Sequence, residues 1–286
     1  MKGIILAAGK GTRMYPMTLP VCKPLIPVYD KPLIYYPLAV LMQAGIRDIL
    51  IIVPSDEMYP FIKLLGDGSE LGINLSYKIQ KVQRGIADAF IIGKSFIGGD
   101  SVCLILGDNI FYGEGLDESL NKAIKNGGNT IFGYHVDDPR PFGVVEFGPD
   151  GKAISLEEKP AHPKSNYVVP GLYFYDKSVV DVAENIEPSA RGELEITSVN
   201  SVYLERDELN VVTLGSDFTW LDAGNAESLL ESANTIMQIQ KSTGKQVACI
   251  EEIAYNKGYI GIEQLRALGE ALKKTAYGSY ILGLCK

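Results

Sequence analysis

Residues 1–27 read MKGIILAAGKGTRMYPMTLPVCKPLIP, in which an apolar run leads into a glycine-rich loop. The run from Gly3 to Ala8 predicts a buried strand, and residues 9–13 form the loop that follows it. Proteins of the α/β class use such a strand and loop to bring backbone N–H groups close to phosphate oxygens. Two cations in this stretch, Arg13 and Lys23, indicate that the phosphates belong to a nucleoside triphosphate.

The loop differs from the two commonest phosphate-binding patterns. The dinucleotide pattern G-x-G-x-x-G needs glycine at position 14, where Met14 stands, and the Walker A ending G-K-[ST] is missing. The segment LAAGKGTRM, residues 6–14, is therefore a distinct phosphate loop in which Arg13 can make forked contacts to phosphate. Prolines on both sides of Lys23 restrict its segment and lower the entropic cost of holding the ammonium toward the phosphates. A surface turn with solvated charges is the alternative interpretation.

The composition is that of a globular protein. Its 286 residues predict one or two domains, with 46% apolar and 22% charged residues. No apolar run approaches the roughly 18–20 residues needed to span a bilayer, so we expect a cytoplasmic protein without membrane contact. The net charge of −8 argues against a nucleic-acid partner. The four scattered cysteines and two histidines favour neither a disulfide framework nor a zinc site.

The first half of the chain alternates predicted strands and helices, which is typical of a doubly wound α/β sheet covered on both faces. The predicted strands are Gly3–Ala7, Asp48–Val53, Leu75–Ile79 and Val102–Leu106, and the predicted helices are Leu33–Ala44, Met58–Leu65 and Ile86–Phe96. From about Thr130, strands follow one another in quick succession and predict an inserted antiparallel or mixed section. Beyond Asp222 the chain is expected to be mostly helical.

These changes of pattern predict the domain organisation. We expect a core over residues 1–225 that contains a mixed central sheet. Its nucleotide half covers about residues 1–130 and its antiparallel section about residues 131–225. A helical extension, residues 226–286, is expected to pack on the core.

Aspartates end two of the apolar strands. Asp108 follows the strand Val102–Leu106, and Asp222 ends the strand in FTWLDAG. A carboxylate at the carboxyl end of a buried strand is well placed to hold a divalent cation. A turn is the alternative role for Asp108, and an N-terminal helix cap is the alternative for Asp222. Both can hold Mg²⁺ together only if the fold brings the two strand ends to one place.

Charged residues in the second section indicate a second anionic ligand. Glu158 in EEKP could accept hydrogen bonds from sugar hydroxyls, while Lys159 and Arg191 could bind a further phosphate. Taken alone, each of these three is better explained as an exposed charge at the end of a strand or helix. Tyr173 is expected to pack in the sheet rather than to bind a ligand.

Several motifs in order identify a family resemblance over essentially the whole chain. They are LAAGKGTRM, KPLIPVYDKPLIYYPL, LGDNIFYG, FGVVEF, SLEEKP, PKSNY, GLYFYD, PSARGELEIT and WLDAG. Together they resemble the bacterial and archaeal glucose-1-phosphate thymidylyltransferases, or dTDP-glucose pyrophosphorylases, of the sugar nucleotidyltransferase family. The resemblance implies a Rossmann-like nucleotidyltransferase core, a homotetramer and Mg²⁺ as cofactor. It also implies transfer of a deoxythymidylyl group from dTTP to glucose 1-phosphate, the first step toward dTDP-rhamnose and related deoxysugars.

The resemblance also implies roles for individual residues. Arg13, Lys23, Asp108 and Asp222 are expected to be catalytic, the two aspartates as ligands of Mg²⁺. The nucleotide-binding residues are expected to be Ala8, Gly11, Thr12, Arg13, Lys23, Gln80, Gly85, Asp108 and Asn109, with Gln80 and Gly85 at the base. The sugar-phosphate-binding residues are expected to be Gly143, Glu158, Lys159, Val169 and Arg191.

The chain departs from the usual form of this family in three places. Ala8 replaces a common glycine, and Pro24 stands where glutamine is frequent. The segment QKVQRGIADAF, residues 80–90, differs notably at Arg84, Ile86 and Asp88. Because this segment borders the expected base pocket, selectivity for the base of the nucleotide is the property that the resemblance implies least directly.

The expected chemistry is an in-line displacement at the α-phosphorus of the nucleotide by the phosphate of the sugar. The nucleophile is already anionic, so positioning and charge neutralisation can suffice without a general base. Three alternatives stay open: use of UTP or another sugar phosphate, a non-catalytic pyrophosphorylase-like regulatory subunit, and a nucleotide-dependent oxidoreductase. Met14 in place of the third glycine argues against the last of these.

Overall fold

One mixed sheet of ten strands runs through the molecule. The computed structural model describes residues 1–215 and 217–286. The strands are β1 (Lys2–Leu6), β2 (Pro27–Val28), β3 (Lys31–Pro32), β4 (Asp48–Pro54), β5 (Asn74–Gln80), β6 (Val102–Leu106), β7 (Asn109–Tyr112), β8 (Asn129–His135), β9 (Gly143–Phe147), β10 (Ala153–Glu158), β11 (Tyr167–Val168), β12 (Leu172–Tyr175), β13 (Leu209–Thr213) and β14 (Thr219–Asp222). The helices are α1 (Tyr35–Gln43), α2 (Met58–Leu65), α3 (Asp88–Ile97), α4 (Leu116–Lys125), α5 (Val179–Asn185), α6 (Ile196–Glu205), α7 (Ala226–Thr243), α8 (Ile250–Asn256), α9 (Ile262–Ala271) and α10 (Ala276–Gly283).

The sheet joins the two halves of the predicted core without a break. Its order is β10-β9-β11-β8-β12-β6-β1-β4-β5, and β13 pairs in parallel with β8. Strands β6, β1, β4 and β5 are parallel, as in a doubly wound fold. Strand β12 is antiparallel to both of its neighbours, with Leu172 opposite Ile105 of β6 and Tyr173 opposite Ile131 of β8. The antiparallel section therefore continues the nucleotide half through β12.

Apolar side chains of β1 are buried on both faces of the sheet, because successive side chains of a strand point to opposite sides. Ile4 belongs to an apolar cluster that contains Phe90 of α3 and Tyr175 of β12. Ile5 belongs to a second cluster that contains Leu38 of α1. Both isoleucines are fully buried, which explains the continuous apolar sequence of this strand.

Helix α4 was not among the predicted elements. Its buried side chains, Leu116, Leu120 and Ala123, recur every three or four residues, as on one face of a helix. Polar residues outnumber them along the segment, so the apolar signal in the sequence is weak. The predicted helix Leu33–Ala44 is slightly shorter in the structure, as α1, and Ile86–Phe96 begins two residues later, as α3.

A buried lysine connects the β2–β3 hairpin to the C-terminal helices. Lys31 Nζ donates hydrogen bonds to Asp30 Oδ1, to Gln240 Oε1 of α7 at 3.2 Å and to Gln246 Oε1 at 3.3 Å. The ammonium also lies 5.3 Å from the centre of the Tyr277 ring in α10. Burial lowers the pKa of Lys31, although the neighbouring Asp30 opposes that shift. The division between core and extension at residue 225 stays a prediction.

In the part of the chain that the structure describes, no helix is both long and apolar enough to cross a membrane.

Candidate active site

The glycine-rich loop lies at the edge of the sheet where the parallel strands end. Its course depends on Gly11, which has a positive φ of 61°. A Cβ at Gly11 would lie 2.9 Å from Thr18 Cγ2 and 3.3 Å from Lys23 Cβ. The Thr18 hydroxyl donates a hydrogen bond to the Gly11 carbonyl at 2.7 Å. The loop is thus packed against the Lys23 segment, with Ala8 buried behind it and Thr12 exposed.

Lys23 and Asp108 form an ion pair at this edge. Lys23 Nζ donates to Asp108 Oδ2 at 2.7 Å, and Asn109 Nδ2 donates to Asp108 Oδ1 at 2.9 Å. Burial alone would raise the pKa of Asp108, but the charge and hydrogen bond of Lys23 outweigh it and lower that pKa. The Lys23 side chain is only 8% exposed, and Asp108 is the counter-charge that lies within ion-pair distance of it.

Asn109 holds three parts of the site together. Besides its bond to Asp108, its Oδ1 atom accepts from the Gly171 N–H at 3.0 Å and from Trp220 Nε1 at 2.7 Å. Asn109 is buried, and these contacts fix its side-chain amide in one orientation. The structure thus gives Asn109 a positioning contact with Asp108, while its predicted contact with the nucleotide stays a prediction.

The second aspartate lies beside the first. Strand β14 is antiparallel to β7 with Asp222 opposite Asn109, and the Ala223 N–H donates to the Asp108 carbonyl at 3.1 Å. Burial, and next the negative charge of Asp108, raise the pKa of Asp222 to about 6. The side chain that caps the following helix is Asn225, which accepts from the Ser228 N–H, so the helix-cap alternative for Asp222 is wrong.

The donor set of the two aspartates fits a divalent cation. Carboxylate oxygens are hard ligands, and Mg²⁺ is usually held by one or two carboxylates together with substrate phosphates. Burial is the main cause of the raised pKa of Asp222, and the repulsion from Asp108 that adds to it would be relieved by a cation between the two groups. Among residues 1–215 and 217–286, no group of three or more histidine, cysteine, aspartate or glutamate side chains is arranged to hold a metal.

A cavity of about 220 Å³ extends from the aspartates toward the antiparallel section. Eight of the predicted site residues line it, namely Arg13, Asp108, Asn109, Gly143, Glu158, Lys159, Val169 and Asp222. The Arg13 side chain is exposed at the cavity and forms no ion pair with any residue that the structure describes. Its guanidinium is therefore free to meet an anionic ligand.

The far side of the cavity is organised around Glu158. Thr197 Oγ1 donates to Glu158 Oε2 at 2.5 Å, and Lys159 Nζ lies 3.6 Å from Glu158 Oε1. Lys159 has a positive φ of 46°, a strained conformation that occurs preferentially at functional sites. Arg191 is less free than predicted, because its Nη2 atom donates to Glu195 Oε1 at 2.8 Å. To bind a phosphate, Arg191 must share or exchange this partner.

Nine of the cavity-lining residues were not predicted as site residues, and Thr197, Trp220 and Tyr173 are the three among them whose side chains carry a polar group. Thr197 lies in the first turn of α6, Trp220 is buried in β14, and Tyr173 lines the cavity although only packing was expected of it. Burial raises the pKa of Tyr173 well above its ordinary value, so its hydroxyl stays protonated. All three lie in motifs quoted above, namely PSARGELEIT, WLDAG and GLYFYD, but a motif alone does not show which of its side chains face the cavity.

The two residues predicted at the base, Gln80 and Gly85, do not line this cavity. Gln80 ends β5, and the segment after it is tied to the glycine-rich loop by Gln83, whose Nε2 atom donates to the Ala8 carbonyl at 2.7 Å. Gly85 has a positive φ of 106° and packs against the backbone of Leu194. Ile86, the residue after Gly85, does line the cavity that contains Glu158, so this segment borders it.

Gly85→Ala is expected to displace this segment and to weaken nucleotide binding. A Cβ at Gly85 would lie 2.4 Å from the Leu194 carbonyl oxygen, and alanine also disfavours the positive φ. We expect the Michaelis constant for the nucleotide to rise by about tenfold or more and the melting temperature to fall by several degrees. Gly99→Ala is the matched control, since Gly99 also has a positive φ but a Cβ there meets nothing within 4 Å. Equal nucleotide constants in the two variants would contradict the packing argument.

Comparison with known proteins identifies the chain. The family model described as nucleotidyl transferase matches residues 2–239. The chain therefore belongs to the nucleotidyl transferase family, and the predicted fold class is confirmed.

Within this family the chain belongs with the glucose-1-phosphate thymidylyltransferases. It is 52% identical over 287 residues to the enzyme of that name from Neisseria meningitidis, and the match covers 100% of both chains. A solved structure from Bacillus anthracis, described as a glucose-1-phosphate thymidylyltransferase in complex with sucrose, has a TM-score of 0.76 and 40% identity. That match covers 82% of this chain and 94% of the other. A UDP-glucose pyrophosphorylase bound to UDP-glucose has the same fold, with a TM-score of 0.74 at 22% identity, covering 83% of this chain and 98% of the other.

Proposed function

We propose that the protein transfers a deoxythymidylyl group from dTTP to α-D-glucose 1-phosphate and releases pyrophosphate. The observation that carries this proposal is the single cavity that joins Arg13, Asp108 and Asp222 to Glu158 and Lys159. An anionic nucleotide and an anionic sugar can therefore meet beside one cluster of charges. The 52% identity, over the full length of both chains, to a glucose-1-phosphate thymidylyltransferase supports these two substrates.

The proposed roles follow the two sides of this cavity. The nucleotide is bound by Ala8, Gly11, Thr12, Arg13, Lys23, Gln80, Gly85, Asp108 and Asn109. The sugar phosphate is bound by Gly143, Glu158, Lys159, Val169 and Arg191. Glu158 is already oriented by Thr197, so one of its oxygens can accept from a sugar hydroxyl.

The proposed reaction is a direct displacement. A phosphate oxygen of glucose 1-phosphate forms a bond to the α-phosphorus of dTTP as the bond from that phosphorus to the bridging oxygen breaks. The electron pair leaves with pyrophosphate, and no proton has to be removed from the nucleophile. Arg13, exposed at the cavity, and Lys23, beside Asp108, would offset the repulsion between the two anions.

Members of this family generally use a divalent metal, and we propose that Asp108 and Asp222 would hold Mg²⁺. When bound, Mg²⁺ would supply positive charge to the phosphates and stabilise the leaving pyrophosphate. Lys23 would then share Asp108 with the metal. The lowered pKa of Asp108 keeps that carboxylate ionised and ready to bind a cation.

The family resemblance further supports a homotetramer in the cytoplasm that catalyses the first step toward dTDP-rhamnose and related deoxysugars. Light scattering of the purified protein and fractionation of cells would test the assembly and the location. A monomer in solution would remove the tetramer from the proposal.

A nucleotide panel tests the proposed function. Purified protein is incubated with glucose 1-phosphate, Mg²⁺ and each of dTTP, UTP, dCTP, CTP, ATP and GTP, and pyrophosphate release is measured. We expect the highest kcat/KM with dTTP. A higher value with UTP would overturn the choice of nucleotide, while no release from any nucleotide would favour the non-catalytic regulatory subunit.

A further inference from the structure

A buried carboxylate lies behind the residue that is proposed to meet the base. Gln80, the last residue of β5, donates from Nε2 to Asp88 Oδ2 at 2.9 Å. Arg84 donates from Nη2 to Asp88 Oδ1 at 2.6 Å. The Asp88 side chain is 2% exposed, and it lies in the first turn of α3, where the helix dipole favours a negative charge. Both carboxylate oxygens therefore have donors, and the group is held in one orientation.

This contact determines which way the amide of Gln80 points. A carboxylate with donors on both oxygens can only accept, so the NH₂ group of Gln80 must face Asp88. The carbonyl oxygen Oε1 must then point the other way. Among the described residues, Gln80 Oε1 receives no hydrogen bond, and no fully buried side-chain oxygen or nitrogen lacks a partner. The Oε1 atom therefore reaches the accessible surface as an acceptor without a protein donor.

We propose that Asp88 is a positioning residue that makes Gln80 a selective acceptor for a pyrimidine carrying an N–H at ring position 3. Thymine and uracil carry this N–H, whereas cytosine carries an acceptor there and would face Oε1 with its own lone pair. This inference rests on the proposed function, which assigns Gln80 to the base. A bound base would cover Gln80 Oε1, and an acceptor that is covered without receiving a hydrogen bond is costly. The arrangement therefore rejects cytosine more strongly than it gains affinity for thymine.

Two further contacts keep the segment between Gln80 and Asp88 in place. Gln83 is bonded to the Ala8 carbonyl, and the Leu194 N–H donates to the Arg84 carbonyl at 2.6 Å. The Gln83 contact holds the segment after Gln80 against the glycine-rich loop. The orientation of the Gln80 amide is therefore set by its contact with Asp88, within a segment that is itself held in place.

The test measures kcat and KM for dTTP and dCTP with variants that exchange donor and acceptor. Asp88→Asn removes the obligatory acceptor, so the Gln80 amide can turn either way. We expect the ratio of kcat/KM for dTTP to that for dCTP to fall by about tenfold, mainly through KM. Adding Gln80→Glu to Asp88→Asn restores one donor–acceptor pair and leaves an oxygen toward the base. This double variant is expected to recover the ratio to within about threefold of the unmodified protein.

Arg84→Gln is the matched control. It removes the exposed charge but leaves the contact between Gln80 and Asp88, so the ratio is expected to stay within about threefold of the original value. The inference is overturned if Asp88→Asn leaves the ratio unchanged or if the double variant does not recover it. If Asp88→Asn alone does not fold, the single variant Gln80→Glu is compared with the double variant. A higher ratio of kcat/KM for dTTP to that for dCTP in the double variant then supports the inference, and an equal ratio overturns it. Failure of the proposed function would instead appear as an unmodified protein that does not prefer dTTP to dCTP.

Discussion

Asp222→Asn is expected to lower kcat by about 10²–10³ while leaving the folded protein at least as stable as before. The loss of activity follows from removing one of two carboxylates proposed to hold the metal. The unchanged or higher stability of the variant is expected because burial and the charge of Asp108 raise the pKa of Asp222 to about 6. An acid whose pKa is higher in the folded than in the unfolded state destabilises the fold once it is ionised. That cost is present above about pH 6 and absent below the ordinary pKa of aspartate, and asparagine removes it.

Asp108→Asn provides the comparison, because the same change is expected to destabilise the protein. It leaves the Lys23 ammonium, which has an 8% exposed side chain, without its counter-charge. Since Asp108 is partly exposed, we expect a loss of about 1–3 kcal/mol in the free energy of unfolding. We expect kcat to fall by about 10²–10³, as for Asp222→Asn. Thermal melting at pH 8 with a chelator and pyrophosphate release with Mg²⁺ measure the two effects. Equal melting temperatures for both variants would contradict the charge arrangement described here.

Arg13→Ala is expected to lower kcat/KM by about 10²–10³ with little change in melting temperature. The Arg13 side chain is exposed at the cavity and has no ion-pair partner among the described residues, so the fold does not depend on it. Its proposed partners are the phosphates, whose charge in the transition state would be left partly unbalanced. Single-turnover measurements at saturating substrates separate the loss in the chemical step from the loss in binding.

Two further variants make the Arg13 result specific. Arg13→Lys keeps the charge without the planar fork and is expected to recover only part of the activity. Lys10→Ala removes an exposed cation from the same loop that does not line the cavity, and it is expected to keep kcat/KM within about threefold. If Lys10→Ala were as damaging as Arg13→Ala, the loss would reflect the general potential of the loop and not a contact of the guanidinium.

Much of the nucleotide half could be predicted from the sequence because its signals are local. The end of a strand is predicted by the apolar run before residue 9 and again by the aspartate after Gly107. Parallel strands bring such ends to one edge of the sheet. The family motifs then extended this reasoning to Glu158 and Lys159, which line the same cavity as Asp108. The strand order that brings Glu158 and Asp108 to one cavity was not predicted, because the alternation of strands and helices covers only the first half of the chain.

The partners of the charged residues could not be predicted in the same way. Lys23 and Asp108 are 85 positions apart, and only the folded chain shows that they form an ion pair. Arg191 was expected to be available for phosphate, but a carboxylate four residues later already binds it. Thr197 ends the motif PSARGELEIT, but its contact with Glu158 depends on α6 packing against β10. Such pairings depend on tertiary distances, which local patterns do not contain.

Strand β12 has a geometric consequence for how substrate size can vary in this architecture. Its hydrogen bonds to β6 on one side and β8 on the other connect the edge that ends in Asp108 to the strands that present Glu158. Sliding β12 by one residue would move this connection by about 3.4 Å and reverse which face each side chain occupies. The spacing across the cleft can therefore change only in coarse steps that also invert the core. Gradual adaptation to a larger or smaller sugar is left to the loops and side chains at the rim, which can be altered without disturbing the sheet.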